Sequence, residues 1–278
     1  MLKNKRLFLF DIDGTIATGN KLYRGTKELL ELIEKVGGKA IYITNNSTKS
    51  TEDYVKKFEG WNLRTEEWQF VTSGFIAAQY LKENFAGKKI FVMGTASFIK
   101  NLREQGILVT QCVEEGIACV LVGYDSELTY EKLERVCEIL SKENIPYLAT
   151  NPDLCCPAPF GFIPDCGSIC QMIENSTGKS PRYLGKPDKE VVNYCLELTK
   201  FSVEETIVIG DRLYTDIACG IAAGVETCVV YTGEATREDV KNTRFVPDYE
   251  FDAIEDLFEQ FKKETEGHIK SIKNGEKV

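Results

Sequence analysis

Two kinds of pattern alternate along the chain. Short runs rich in β-branched and aromatic residues, at 7–10, 40–43, 70–71, 90–93, 119–122, 147–149, 207–209 and 228–231, predict strands. Between them lie segments of helical period. Leu29, Leu30, Ile33 and Val36 make one helix face that Gly37-Gly38 can end, 51–59 predicts a second helix, Phe75, Ala78 and Leu81 a third, and Leu133, Val136, Cys137 and Leu140 a fourth. Pro187 suits the first turn of another helix, one more is expected after Thr215, and Ile254, Leu257, Phe258 and Phe261 face inward from the last. The alternation predicts an α/β chain. Breaks at Asn84–Gly87 and around Gly178–Pro181 divide it into 1–84, 85–180 and 181–278, with an α/β unit in the middle, and the polar tail after Gly267 is expected to be loosely held.

Composition narrows the chemistry. With 43% hydrophobic and 28% charged residues over 278 positions, the chain reads as a soluble, well-cored protein of one large domain or two moderate ones. A net charge of −9 leaves no basic footprint for nucleic acid or an anionic membrane, so an anion site needs local cations. The single histidine, His268, makes Ser-His-Asp, Cys-His and zinc-hydrolase mechanisms poor candidates and turns attention to carboxylates, lysine or a hard metal ion. The ten cysteines sit mostly in apolar segments and read as reduced core thiols. The apolar run Leu7–Phe10 is too short for a signal-peptide core or a membrane span, and a cytoplasmic location is expected.

Candidate chemistry gathers just after the strands. Asp11-Ile12-Asp13-Gly14-Thr15 closes the first apolar run. Two neighbouring carboxylates at the sheet edge where α/β proteins bind ligands call for a cation, the plainer alternative being a turn capped by two aspartates. The run 40–43 ends in Thr44-Asn45-Asn46-Ser47, a set of hydroxyl and amide donors suited to phosphate oxygens. The run 207–209 ends in Gly210-Asp211-Arg212 with Asp216 five residues after Asp211, and Lys186, in Leu184-Gly185-Lys186-Pro187, precedes a helix whose amino end favours anions. Each later piece is common alone; their order and shared position after strands carry the weight.

In these motifs, and in Val122-Gly123-Tyr124-Asp125 and Ala149-Thr150-Asn151-Pro152-Asp153, the chain resembles the haloacid dehalogenase superfamily of phosphohydrolases, and within it the NagD-type group that includes p-nitrophenyl and pyridoxal phosphate phosphatases. The resemblance covers nearly the whole chain. It implies a Rossmann-like parallel-sheet core built from 1–84 and 181–278, with a large α/β cap inserted at 85–180. It implies Asp11 as the nucleophile that forms an aspartyl phosphate and Asp13 as general acid and later base. Thr44, the Asn45 backbone and Lys186 would hold phosphoryl oxygens. Mg²⁺ would be bound by Asp11, the Asp13 carbonyl and Asp211, with Asp216 in support. A carboxylate at Asp13 fits a phosphatase; phosphoryl-transfer pumps and phosphonate-cleaving members lack it.

In that architecture the cap loops over the core choose the leaving group. Asn151, Pro152 and Asp153, followed by 154–160, are the expected specificity residues together with Asn46, and Pro152, Pro157 and Pro159 would make a stiff loop. Pyridoxal phosphatases carry a cap histidine whose place here is Cys156, which moves the expected substrate away from pyridoxal phosphate to small phosphomonoesters such as nucleoside monophosphates and sugar or glycerol phosphates. No nucleic acid or membrane partner is expected, and a homodimer is left open. The alternatives are an Asp-x-Asp nucleotide-sugar transferase and a catalytically silent phosphate sensor. Gly178-Lys179-Ser180 lacks the upstream glycine of a P-loop, since that position holds Ile173, and Cys155, Cys156, Cys166 and Cys170 lack the paired spacing of a zinc site.

Overall fold

The computed structural model describes residues 1–158 and 160–273, with the backbone alone at 157, 158 and 267–273. The chain forms two compact units, one of Met1–Ile43, Val55–Phe70 and the residues from Lys189 onward, the other of Thr44–Tyr54 and Val71–Asp188. The middle piece 85–180 falls within the second.

A six-stranded sheet, all but Thr44, Val71 and Thr72 of it in the first unit, has the order Tyr249–Phe251, Glu226–Val230, Thr206–Gly210, Leu7–Phe10, Lys39–Thr44 and Phe70–Thr72. The first five run parallel, with Leu7 opposite both Thr206 and Lys39. Leu7–Phe10 lies at the centre and is buried at every residue, which explains why it reads as a continuous apolar run rather than an alternating one. Aromatic residues pack its surroundings: Phe8 meets Phe261 of the last helix at 5.1 Å, and Tyr42 lies 4.4 Å from Phe58 and 5.2 Å from Phe70. Each such fully buried ring is worth roughly 1.5–3 kcal/mol of apolar transfer.

The second unit holds a five-stranded parallel sheet in the order Arg182–Tyr183, Tyr147–Ala149, Ile117–Val122, Lys89–Met93 and Leu108–Thr110. Val120, Val122 and Phe91 pack with Val136, Ile139 and Leu140 from the helix Tyr130–Lys142 and with Ile169, Cys170 and Ile173 from the helix Cys166–Thr177. The fold is the expected α/β architecture with parallel sheets.

Several elements differ in detail from the sequence reading. The stretch expected as a stiff proline loop is an antiparallel hairpin of Cys155–Ala158 with Gly161–Pro164; Pro159 lies outside the described residues. The helix expected from Pro187 begins at Glu190, because Asp188 N donates to Gly185 O (2.9 Å) in a turn that holds the proline outside the helix. The segment after Thr215 is a wide turn, Leu213–Ile217, followed by the helix Ala218–Ala223. The helix Ala96–Glu104 and the strand Leu108–Thr110 were not read at all; the N-cap Thr95, whose hydroxyl accepts from Phe98 N (3.2 Å), is the signal that marks the first. The last helix, Ile254–Lys273, runs past Gly267, and the rest of the expected tail, 274–278, lies outside the described residues. None of the ten cysteines is in a disulfide. No helix among the described residues is long and apolar enough to cross a membrane.

Candidate active site

The strand order of the first unit selects its own ligand crevice. From Leu7–Phe10 the chain builds outward on one side through Lys39–Thr44 and Phe70–Thr72, then returns to build the other side from Thr206–Gly210. The reversal falls between Leu7–Phe10 and Thr206–Gly210, the switch point at whose carboxyl ends open α/β sheets bind ligands. Asp11 follows one strand and Asp211 the other. Asp11, Asp211 and Asp216 each place a carboxylate oxygen within 4.8 Å of the others, with Asp11 9% exposed, Asp211 3% and Asp216 1%.

Local hydrogen bonds hold this cluster. Glu234 N donates to Asp211 Oδ2 (2.8 Å), Arg212 N donates to Asp216 Oδ2 (3.0 Å), and the Thr15 hydroxyl lies 3.4 Å from Asp11 Oδ2 and 3.5 Å from Asp211 Oδ1. Small residues let the carboxylates in. A Cβ on Gly14, whose φ is +98°, would stand 2.5 Å from Asp211 Oδ2, and one on Gly210 or Gly233 would collide with Asp216 or Asp211. Three buried carboxylates this close repel one another unless a cation joins them, and an all-oxygen donor set suits a hard divalent ion. Among the described residues this is the one such grouping; the four cysteines at 155, 156, 166 and 170 do not gather around a common ligand position.

Asp13 lies on the same loop. A bridge between Asp13 and Ala17 and the bond from Gly14 N to Ala17 O (2.8 Å) fix its backbone. Its side chain is 38% exposed and pairs with Lys57.

The second unit carries Thr44, Asn45, Asn46, Asn151, Asp153, Cys156 and Lys186. Lys186 is 2% exposed. Its segment is stitched beside the strand Tyr147–Ala149 by donation from Leu184 N to Ala149 O (3.0 Å) and from Gly185 N to Thr150 O (2.7 Å). Asn45 Nδ2 donates to Lys186 O (2.9 Å) and to Asp153 Oδ2 (2.8 Å); Asn151 Nδ2 donates to Asp153 Oδ2 (2.9 Å) and to Asp165 Oδ1 (3.0 Å). Gly185 is small because a Cβ there would stand 2.5 Å from Thr150 O and 2.6 Å from Asn45 Oδ1. Asn151 and Asp153, expected from the sequence to select substrate, are tied by these bonds to Asn45 and Asp165. Asp165, which ends that chain of bonds and caps the helix Cys166–Thr177, was not picked out from the sequence. Asn46 turns its Oδ1 to Thr48, accepting from Thr48 N (2.9 Å) and Oγ1 (2.7 Å), while Thr44 Oγ1 accepts from Asn46 N (3.2 Å). Cys156 is half-buried, with its Sγ 3.5 Å from the Tyr124 hydroxyl.

Carboxylates gathered at the switch point of an open parallel sheet, at cation-sharing distance, make a site that could hold a divalent ion in an α/β enzyme. Known proteins agree. A model of the haloacid dehalogenase-like hydrolases matches residues 8–108, and a second HAD-hydrolase-like model matches 183–257. An acid sugar phosphatase of Staphylococcus aureus is 31% identical over 262 residues, 94% of this chain and 100% of its own. Among solved structures, a 4-nitrophenylphosphatase from Thermotoga maritima is 36% identical with a TM-score of 0.88 over 94% of this chain and 98% of its own. NagD from E. coli K-12 is 28% identical with a TM-score of 0.81 over 90% and 97%. The chain belongs to the haloacid dehalogenase-like hydrolases, in the group of NagD and the p-nitrophenyl phosphatases, and is a phosphatase by class.

Proposed function

We propose that the chain is a Mg²⁺-dependent phosphomonoesterase for small phosphorylated metabolites, with sugar and glycerol phosphates and nucleoside monophosphates as substrate classes and p-nitrophenyl phosphate as a substrate in vitro. The observation that carries the reading is the meeting of Asp11, Asp211 and Asp216 within 4.8 Å. The ester class is supported by relatives that are an acid sugar phosphatase and a 4-nitrophenylphosphatase.

An Asp11 carboxylate oxygen attacks phosphorus while the bond from phosphorus to the ester oxygen breaks, and Asp13 gives its proton to that departing oxygen. Asp13, now a carboxylate, takes a proton from the water that attacks the aspartyl phosphate at phosphorus. Inorganic phosphate leaves and Asp11 returns to its carboxylate form. We assign the phosphoryl oxygens to Thr44, Asn45 and Lys186, which contribute neutral donors and one ammonium and add no negative charge. Asp11, the Asp13 carbonyl and Asp211, with Asp216 in support, would hold Mg²⁺, which would supply the charge neutralisation that a carboxylate needs to meet a phosphate dianion. The cap is assigned to 85–180, with Asn46, Asn151, Asp153 and Cys156 as specificity residues. The protein is read as cytoplasmic and as working without nucleic acid or membrane; light scattering decides whether it is a homodimer. Phosphate release from p-nitrophenyl phosphate should require Mg²⁺, stop with EDTA and vanish in Asp11→Asn; turnover that survives in that variant refutes the reading.

A further inference from the structure

The helix Thr51–Glu59 holds a lysine whose placement the mechanism above does not use. Lys57 has a side chain only 11% exposed, and its Nζ donates to Asp13 Oδ1 at 3.1 Å across 44 residues of sequence. The ammonium also lies 5.2 Å from the ring centre of Trp61, a cation–π contact. Trp61 is fixed in turn, because its Nε1 donates to Asn20 O at 2.7 Å and its ring packs 5.0 Å from Phe58. An ammonium held out of water needs a partner to offset its desolvation. Here the partners are an indole face locked by its own hydrogen bond and one oxygen of a carboxyl group.

We propose that Lys57 is a positioning residue for Asp13, one that determines which carboxyl oxygen faces the leaving group; this rests on the reading of Asp13 as the general acid. The Asp13–Ala17 bridge fixes the backbone but leaves the carboxyl free to rotate about its last bond, which exchanges its two oxygens. Engaging Oδ1 with the ammonium breaks that equivalence and leaves Oδ2 to carry the transferable proton. The role is one of direction, and small errors in the direction of a catalytic group cost large factors in rate.

Leaving-group basicity separates this role from a merely structural one. p-Nitrophenolate departs with little help from an acid, whereas the more basic phenolate of phenyl phosphate depends on it. Lys57→Met keeps an unbranched aliphatic side chain and removes the ammonium. Its kcat/KM should fall about tenfold more on phenyl phosphate than on p-nitrophenyl phosphate, a fraction of the ~10²–10⁴ that a general acid contributes. Lys57→Arg should recover most of that bias, Asp13→Asn should show the bias by itself, and adding Lys57→Met to Asp13→Asn should not increase it. Equal losses on the two esters, no loss, or a full added bias in the double variant overturns the proposal. If Asp13→Asn shows no bias, the general-acid reading itself fails and the Lys57 role falls with it; if Asp13→Asn shows the bias and Lys57→Met does not, only the Lys57 role fails.

Discussion

Removing the Asp153 carboxylate tests whether the Asn45–Asp153–Asn151 chain is support or substrate wall. In the folded protein both amides spend both hydrogens: Asn45 Nδ2 on Asp153 (2.8 Å) and the Lys186 carbonyl (2.9 Å), Asn151 Nδ2 on Asp153 (2.9 Å) and Asp165 (3.0 Å). Asp153→Ala leaves one N–H on each without its acceptor, at positions 9% and 0% exposed. A buried donor left unmatched costs about 1–3 kcal/mol, so the pair costs roughly 2–6 kcal/mol, towards the lower end if water enters the space. The backbone of Asp153 keeps its own work, since its carbonyl accepts from Gly167 N (2.8 Å) in either form.

The assay has two arms. Urea unfolding followed by far-UV circular dichroism should show a lowered midpoint; tryptophan fluorescence is the wrong probe, because Trp61 and Trp68 both lie in the first unit. Phosphate release across a panel of metabolites should fall by a common factor if Asn45 and the Lys186 segment serve, as proposed, the phosphoryl group that every substrate shares. Asp153→Asn, which keeps an acceptor oxygen, should lose less in both arms. An unchanged midpoint together with a reordered substrate panel would refute the support role and return Asp153 to the substrate wall.

Two other perturbations test neighbouring parts of the molecule. Gly14→Ala puts a Cβ 2.5 Å from Asp211 Oδ2 at a φ of +98°, costing about 1–3 kcal/mol in backbone strain and displacing a carboxylate that the proposal assigns to the metal, so the Mg²⁺ concentration for half-maximal phosphate release should rise about tenfold or more; an unchanged titration would show that Asp211 does not need that space. Burial works to raise the Glu226 carboxyl, but the hydrogen bond and charge of Lys5, 3.0 Å away, together with the amino terminus and Tyr249, outweigh it and leave the group below the usual carboxylate range. A group held low when folded contributes stability above its unfolded pKa and loses it as pH falls through the folded one, so the native protein should lose this contribution in the acid range below the ordinary glutamate value. Glu226→Gln should be less stable at neutral pH and show a flatter acid limb in urea midpoints measured against pH; a parallel limb would remove Glu226 from the linkage.

What could be read from the chain, and what could not, follows the reach of each interaction. The placement of Asp11, Asp13 and Gly14 was legible because a buried strand and the turn after it are local. Asp211 and Asp216 were legible for the same reason, although the wide turn Leu213–Ile217 that carries Asp216 was not. The bond between Asp153 and Asn45 was not legible, because the two lie 108 residues apart and an Asn-Pro-Asp loop looks alike whether it faces substrate or protein. The helix Ala96–Glu104 was missed although its Thr95 cap was in view, and the hairpin at Cys155–Pro164 was hidden by prolines that usually mark loops. Lys57 left only a faint mark, an aromatic residue four positions on at Trp61, since its partner Asp13 is 44 residues back.

The single histidine of the chain bears on why a residue such as Lys57 is needed. An imidazole has two distinct nitrogens, and a hydrogen bond to one determines which proton the other carries. A carboxyl group has no such asymmetry, since its two oxygens exchange by one rotation. An enzyme that hands proton transfer to Asp13 must therefore break that symmetry from outside, with a partner that is itself held still. A flexible surface lysine would lose its gain to side-chain entropy and solvent screening. Lys57 escapes both, because Trp61 grips its ammonium and Asn20 O grips Trp61. Loosening Trp61 should then have the same consequence as removing the charge. Trp61→Leu is expected to reproduce, in weaker form, the leaving-group bias of Lys57→Met while retaining the cation, and a Trp61→Leu enzyme with unaltered kcat/KM on both phenyl and p-nitrophenyl phosphate would mean that Lys57 needs no such anchor.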